Sequence, residues 1–134
     1  LRWFHSAAAR VMVNTPHVRD ELAARGFANL VQWTRGVDTT LFHPRDKSTL
    51  DLPRPVFAYV GRVAVEKNVE AFLTLDLPGT KLVVGGGPAL EEMRRRHPAA
   101  VFTGYRYGEA LAATLAAADV FVFPSLTDTF GLVM

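Results

Sequence analysis

Short apolar runs alternate regularly with segments of helical composition along this sequence. The run at residues 55–60 is apolar at almost every position, which is typical of a strand buried on both faces of a parallel sheet. Strands that alternate with helices indicate βαβ units. We therefore expect an α/β fold with a parallel sheet, with strands near residues 11–13, 30–33, 55–60, 81–84, 100–102 and 119–123.

Residues with strong conformational preferences predict the ends of several helices. Thr15 followed by Pro16 predicts a helix cap and a first turn, and Gly26 predicts the end of that helix. Pro88 predicts the start of another helix. The segment at residues 39–55 contains three prolines and many charges, so we expect a linker and a domain boundary there.

Composition excludes several classes of function. The 134 residues include no cysteine, which excludes disulfides, thiolate catalysis and cysteine-based zinc sites. A net charge of +2 is too balanced to indicate a nucleic-acid partner. No apolar run approaches the roughly 18 residues that a membrane helix needs, and no signal peptide is visible, so we expect a cytoplasmic protein.

Isolated side chains give few further sites. The four histidines are scattered without metal-ligand spacing, so we expect surface or linker positions for them and predict no metal site. The aromatic residues of two predicted strands alternate, which favours core positions for Phe57, Tyr59, Phe121 and Phe123.

Parallel sheets bind ligands at the carboxyl ends of their strands, so the loops there are candidate sites. Arg62 and Lys67 flank one such loop and could converge on a diphosphate, helped by the dipole of the helix that follows; two unrelated solvated cations are the alternative. Glycines at residues 85–87 could admit a ligand or form a tight turn. Asp128, beside Gly131, could grip sugar hydroxyls or cap a helix.

Four stretches in this order and at this spacing resemble glycosyltransferase family 4, whose two Rossmann-like domains face each other in the GT-B arrangement. They cover residues 33–44, 59–68, 83–88 and 118–133. The likeness spans essentially the whole chain. The sequence resembles most the branch of this family that includes sulfoquinovosyl-lipid synthases and lipid α-mannosyltransferases. That branch has the sequence Thr-Asp-Thr-Phe-Gly, which this chain carries at residues 127–131.

The resemblance implies a donor site without a metal or a cofactor, the nucleoside diphosphate sugar being a substrate. Arg62 and Lys67 would hold the diphosphate and stabilise its departure, while Asp128 would bind the sugar. Gly86 departs from the acid common at that position. The other donor-binding residues implied are Gly61, Gly87, Gly104, Tyr105, Ser125, Phe130, Gly131 and Leu132.

The same resemblance divides the chain into residues 1–35, the end of an acceptor-side domain, and residues 36–134, an incomplete donor domain. The second acid of the family's carboxylate motif would fall two places beyond Met134, so we expect a fragment that is inactive alone.

The implied reaction is retaining transfer of a glycosyl group, with mannosyl as one candidate, to an acceptor alcohol such as a lipid or glycolipid. UDP, GDP and ADP all remain open as the nucleotide. A lipid-linked acceptor would allow peripheral association with the inner face of a membrane through the acceptor-side domain. The alternative is a non-catalytic nucleotide-sugar-binding domain or a truncated relic.

Overall fold

The computed structural model describes residues 3, 7–33 and 36–126. The chain divides into two compact units, Leu1–Val37 and Asp38–Met134. The assignment of these parts to an acceptor-side and a donor domain stays a prediction.

The first unit contains a small parallel sheet with one crossover helix. Strand β1 (Val11–Val13) pairs with strand β2 (Leu30–Gln32), and helix α1 (Pro16–Ala24) connects them. The Thr15 hydroxyl accepts a hydrogen bond of 3.2 Å from the amide of Val18, and Gly26 follows the helix with a φ of 83°. Both helix ends predicted from the sequence are thereby confirmed.

The second unit is built on a four-stranded sheet in the order β5-β4-β3-β6, with every pair parallel. Its strands are β3 (Val56–Val60), β4 (Thr80–Val84), β5 (Val101–Gly104) and β6 (Val120–Phe121). The connecting helices are α2 (Val69–Leu73), α3 (Leu90–Arg96) and α4 (Gly108–Ala117). The predicted α/β class and parallel sheet are confirmed.

Apolar side chains cover the central strands on both faces. One core cluster joins Tyr59 and Val83 to Phe72 of α2 and Met93 of α3. A second cluster contains Val56, Ala58, Leu82 and Val84, against which Leu111 of α4 packs. This two-sided burial explains why β3 and the second half of β4, Leu82–Val84, are apolar.

The proline-rich segment at residues 39–55 is not a linker, contrary to the prediction. Leu50 and Leu52 pack against the second core cluster, and Arg45 pairs with Glu109 of α4. The prediction was wrong because prolines and charges also suit a segment that packs along a domain surface. This segment, called the strap below, contains a 3₁₀ turn at Lys47–Thr49.

Asp119 is the main polar anchor of this strap. Its carboxylate accepts hydrogen bonds from Lys47 Nζ at 2.8 Å, Arg54 Nη2 at 2.6 Å and the amide of Val56 at 2.8 Å. The hydrogen bond from Lys47, followed by those from Val56 and Arg54, holds the pKa of Asp119 well below its usual range. The ionised carboxylate therefore ties the start of β6 to the segment before β3.

The prediction that Phe121 is a core residue is wrong for the described part of the chain, since Phe121 is 37% exposed. Strand β6 pairs with β3 on one edge, and the described residues place no strand along its other edge. No helix in the described ranges is long and apolar enough to cross a bilayer.

We predict that Asp119→Asn lowers the melting temperature at pH 7, because the amide cannot replace the charge that Lys47 and Arg54 share. A carboxyl group with a lowered folded-state pKa contributes stability above its ordinary pKa, and this contribution is lost as the pH falls. The difference between wild type and variant should therefore shrink below about pH 4. Thermal melts across this range, with Asp51→Asn as the control on the same strap, measure it. A constant difference at all pH values would contradict the assignment.

Candidate functional site

The loops that follow β3 and β4 are joined by backbone hydrogen bonds that continue the sheet ladder. The amide of Gly61 donates to the carbonyl of Val84 at 2.9 Å, and that of Val63 donates to the carbonyl of Gly86 at 2.9 Å. Ala89 donates back to the carbonyl of Val63 at 3.1 Å. The loop that carries Arg62 is therefore held at a fixed place against its neighbour.

Two glycines allow this close contact between the loops. A Cβ on Gly85 would lie 1.9 Å from the carbonyl oxygen of Gly61, and one on Gly87 would lie 2.3 Å from that of Val63. Gly85 also has a φ of 130°, which L side chains rarely adopt. The tight-turn alternative thus accounts for both glycines, and donor binding by Gly87 stays a prediction.

Arg62 combines an anchored backbone with an exposed side chain. The buried hydroxyl of Tyr59 donates a hydrogen bond of 2.8 Å to the carbonyl oxygen of Arg62. The Arg62 side chain is 63% exposed, and its guanidinium lies 3.7 Å from the Glu66 carboxylate. An exposed ion pair of this length is weak, so the guanidinium can turn to an anionic ligand at little cost.

Lys67 closes the 3₁₀ turn Val65–Lys67 at the other end of the same loop. Helix α2 begins two residues later and has only five residues. The predicted help from a helix dipole is therefore small, because few peptide units are aligned. The structure places both predicted cations on one strand-end loop, and their action on a diphosphate stays a prediction.

The ends of β5 and β6 adjoin this pair of loops. The amide of Gly85 donates to the carbonyl of Gly104 at 2.7 Å. The Asn68 side chain, on a residue in the left-handed region, donates to the carbonyl of Pro124 at 3.3 Å and so holds the chain just before Ser125. Four strand ends thus meet at one edge of the sheet.

The ring of Tyr105 lies against Gly86, where an added Cβ would come within 2.5 Å of it. The absence of the acid common at position 86 in the family therefore leaves room for an aromatic ring. The structure brings the predicted residues Gly61, Arg62, Gly87, Gly104 and Tyr105 together in this edge.

The remaining predicted site residues, Asp128, Phe130, Gly131 and Leu132, lie outside the described residues. Sequence reasoning missed the Tyr59 hydroxyl, since Tyr59 was predicted as core only. A tyrosine in a strand with no other polar side chain was the available indication, because a buried hydroxyl needs a partner.

No group of three histidine, aspartate or glutamate side chains in the described ranges could hold a metal ion. The prediction that every histidine lies at the surface or in a linker is wrong for His97. Its ring is half-buried at the end of α3, and its buried Nε2 has no hydrogen-bond partner.

The family model described as "Glycosyl transferases group 1" matches residues 54–134, which is more than half of the chain. A GDP-mannose-dependent alpha-mannosyltransferase of Corynebacterium glutamicum is 32% identical and is aligned over 97% of this chain and 34% of its own length. Sulfoquinovosyl transferase SQD2 of Arabidopsis thaliana is 33% identical, over 100% of this chain and 29% of its own. The chain thus spans about a third of the length of these relatives.

Among solved structures, sucrose-phosphate synthase from Thermosynechococcus elongatus superposes with a TM-score of 0.75 and 28% identity, over 92% of this chain and 36% of that one. The Rossmann-like fold of GT-B glycosyltransferases is confirmed, as is the resemblance to the branch of mannosyl and sulfoquinovosyl transferases. The chain belongs to the group 1 glycosyltransferases.

Proposed function

We propose that the four strand ends bind the nucleoside diphosphate of a sugar donor, and that the protein transfers the glycosyl group to an acceptor alcohol with retention at the anomeric carbon. The observation that carries the proposal is the anchored Arg62 loop. Its backbone is held by Tyr59, Val84 and Gly86, while its guanidinium stays exposed.

An arginine presented in this way suits a diphosphate leaving group. The negative charge that develops on the phosphate as the glycosidic bond breaks is offset by a cation already in position. Preorganisation is what makes such a contact effective, since a fixed loop does not have to be ordered at the moment of reaction. In this proposal Lys67 contributes the second positive charge.

The remaining roles follow from the family resemblance. By that resemblance Asp128 would bind hydroxyls of the donor sugar, and Phe130, Gly131 and Leu132 would offer backbone groups to the phosphate. Ser125, next to the held carbonyl of Pro124, lines the same edge. No metal is needed in this scheme, because the two cations neutralise the diphosphate.

The names of the relatives support a narrower proposal for the substrates. Several are called GDP-mannose-dependent mannosyltransferases, and one of these acts on a phosphatidylinositol dimannoside by its name. We therefore infer GDP-mannose as the donor and a lipid or glycolipid alcohol as the acceptor. A cytoplasmic enzyme working at the inner face of a membrane fits such an acceptor.

We predict that GDP binds more tightly than guanosine and that Arg62→Ala removes most of the difference. Loss of a charge-assisted contact costs about 1.5–3 kcal/mol, so the Kd for GDP should rise roughly 10- to 150-fold. Calorimetric titration with GDP and guanosine measures both.

Arg95→Ala is the matched control, because Arg95 is exposed near the opposite end of α3 and should leave both affinities unchanged. Equal affinities of the wild type for guanosine and GDP, or equal losses in the two variants, would rule out the diphosphate clamp.

We also predict that GDP binding by this chain survives EDTA, as does transfer from GDP-mannose when it is measured on a protein of its relatives' full length, since charge neutralisation is assigned to Arg62 and Lys67. Titration in EDTA and in magnesium should give the same dissociation constant. Transfer that is abolished by EDTA and restored by magnesium or manganese would count against this mechanism.

A further inference from the structure

The chain that follows β6 loses its backbone pairing with β3 at Pro124. The amide of Val122 donates to the carbonyl of Ala58 at 2.8 Å, so the parallel ladder continues past the end of β6. Donors on one side of a strand occur at every second residue, and the next one would be residue 124. Because that residue is proline, it has no amide hydrogen to give to β3. The backbone ladder therefore cannot hold the segment that begins at Ser125.

Asn68 supplies a donor at this point from the neighbouring loop. Its side-chain amide donates a hydrogen bond of 3.3 Å to the carbonyl of Pro124. A carbonyl oxygen can pair only with the NH₂ group of the amide, so neither a carboxylate nor an aliphatic side chain at position 68 could make this bond. A side chain of the loop that carries Arg62 and Lys67 thus replaces a backbone contact of the sheet.

The backbone of Asn68 is itself held in place. Its amide donates to the carbonyl of Val65 at 3.0 Å, and its carbonyl accepts from the amide of Ala71 at 3.1 Å. Its φ of 51° is in the left-handed region, which asparagine tolerates better than most residues. Asn68 follows the 3₁₀ turn that ends at Lys67 and precedes the first residue of α2. Backbone hydrogen bonds therefore fix the point from which the amide reaches Pro124.

We propose that Asn68 is a positioning residue that sets the sugar-binding segment against the loop that binds the diphosphate. The inference rests on the proposed function, in which Lys67 helps to neutralise the diphosphate and Asp128 binds the sugar. Asp128 follows Pro124 by four residues, so the place at which Pro124 is held decides where the segment that carries Asp128 begins. The sugar of the donor is bonded directly to its diphosphate, and the two binding segments must therefore keep one separation. Loss of the Asn68 amide should weaken recognition of the sugar more than recognition of the nucleotide.

Calorimetric titrations of the chain with GDP and with GDP-mannose test this inference. Asn68→Gly removes the amide and keeps the left-handed backbone, because glycine adopts a positive φ readily. We expect GDP-mannose to bind about three- to tenfold more weakly, the loss typical of one neutral hydrogen bond. The Kd for GDP should rise by a smaller factor. Equal losses for the two ligands would indicate a merely structural role, and that result, like two unchanged affinities, would overturn the inference.

Asn29→Ala is the matched control. The side-chain amide of Asn29 donates to the carbonyl of Ala8, so this variant removes the same kind of contact in the first unit. It should leave the dissociation constants for GDP and GDP-mannose unchanged. Thermal melts of both variants accompany the titrations. Asn68→Gly should melt within a few degrees of the wild type, because glycine introduces no strain at a left-handed position.

A double-mutant cycle with Asp128→Asn identifies the group through which Asn68 acts. Asp128→Asn alone should lower the affinity for GDP-mannose relative to that for GDP. Adding Asn68→Gly to this variant should lower the relative affinity little further, because the position of the segment matters less once its acid is lost. Fully additive losses would show that Asn68 acts independently of the sugar-binding segment and would overturn its assignment.

The outcomes separate this inference from the proposed function. Failure of the wild type to bind GDP, or an Asp128→Asn variant with unchanged relative affinity for GDP-mannose, would overturn the proposed function and the inference with it. A selective loss in Asp128→Asn, without a selective loss in Asn68→Gly, would overturn the role of Asn68 alone.

Discussion

The hydrogen bonds that extend the β3–β4 ladder into the following loops are the constraint on which the candidate site depends. Because Val63 and Gly86 are paired in this way, the loop with Arg62 and the loop under Tyr105 form one unit. Glycine at position 85 makes the approach sterically possible. Backbone hydrogen bonds therefore fix the positions of the loops at this edge, and the proposed chemistry depends on the side chains that these loops present.

Much of the fold could be predicted because its causes are local. The buried central strand β3 is apolar at nearly every position, and Thr15 and Gly26 mark helix ends by conformational preference, whereas α3 begins at Leu90, two residues after the predicted start at Pro88. The strap at residues 39–55 was wrongly predicted to be a linker, because the residues that hold it in place are distant in the sequence. Asp119 accepts hydrogen bonds from three residues that precede it in the chain by 63 to 72 positions. Contacts over such separations cannot be predicted from local sequence patterns.

The candidate site was predictable in part for the same reason. Strand ends locate Arg62, Gly104 and Tyr105 at one edge, since parallel strands share that edge. The hydrogen bonds of Tyr59 to the Arg62 carbonyl and of Asn68 to the Pro124 carbonyl depend on side-chain directions that only the packed structure fixes. These contacts distinguish residues that hold the loops from residues that face the ligand, and they leave Arg62 and Tyr105 exposed.

The most direct test of the central claim, that the strand ends form one nucleotide site, is residue-specific mapping of GDP binding by NMR on the ¹⁵N-labelled chain. We predict saturable shifts of the backbone amides at residues 61–63, 85–87, 89 and 104–107 with a single dissociation constant. Saturable binding that shifts amides only in residues 11–33, or that shifts one of these loops without the others, would contradict it.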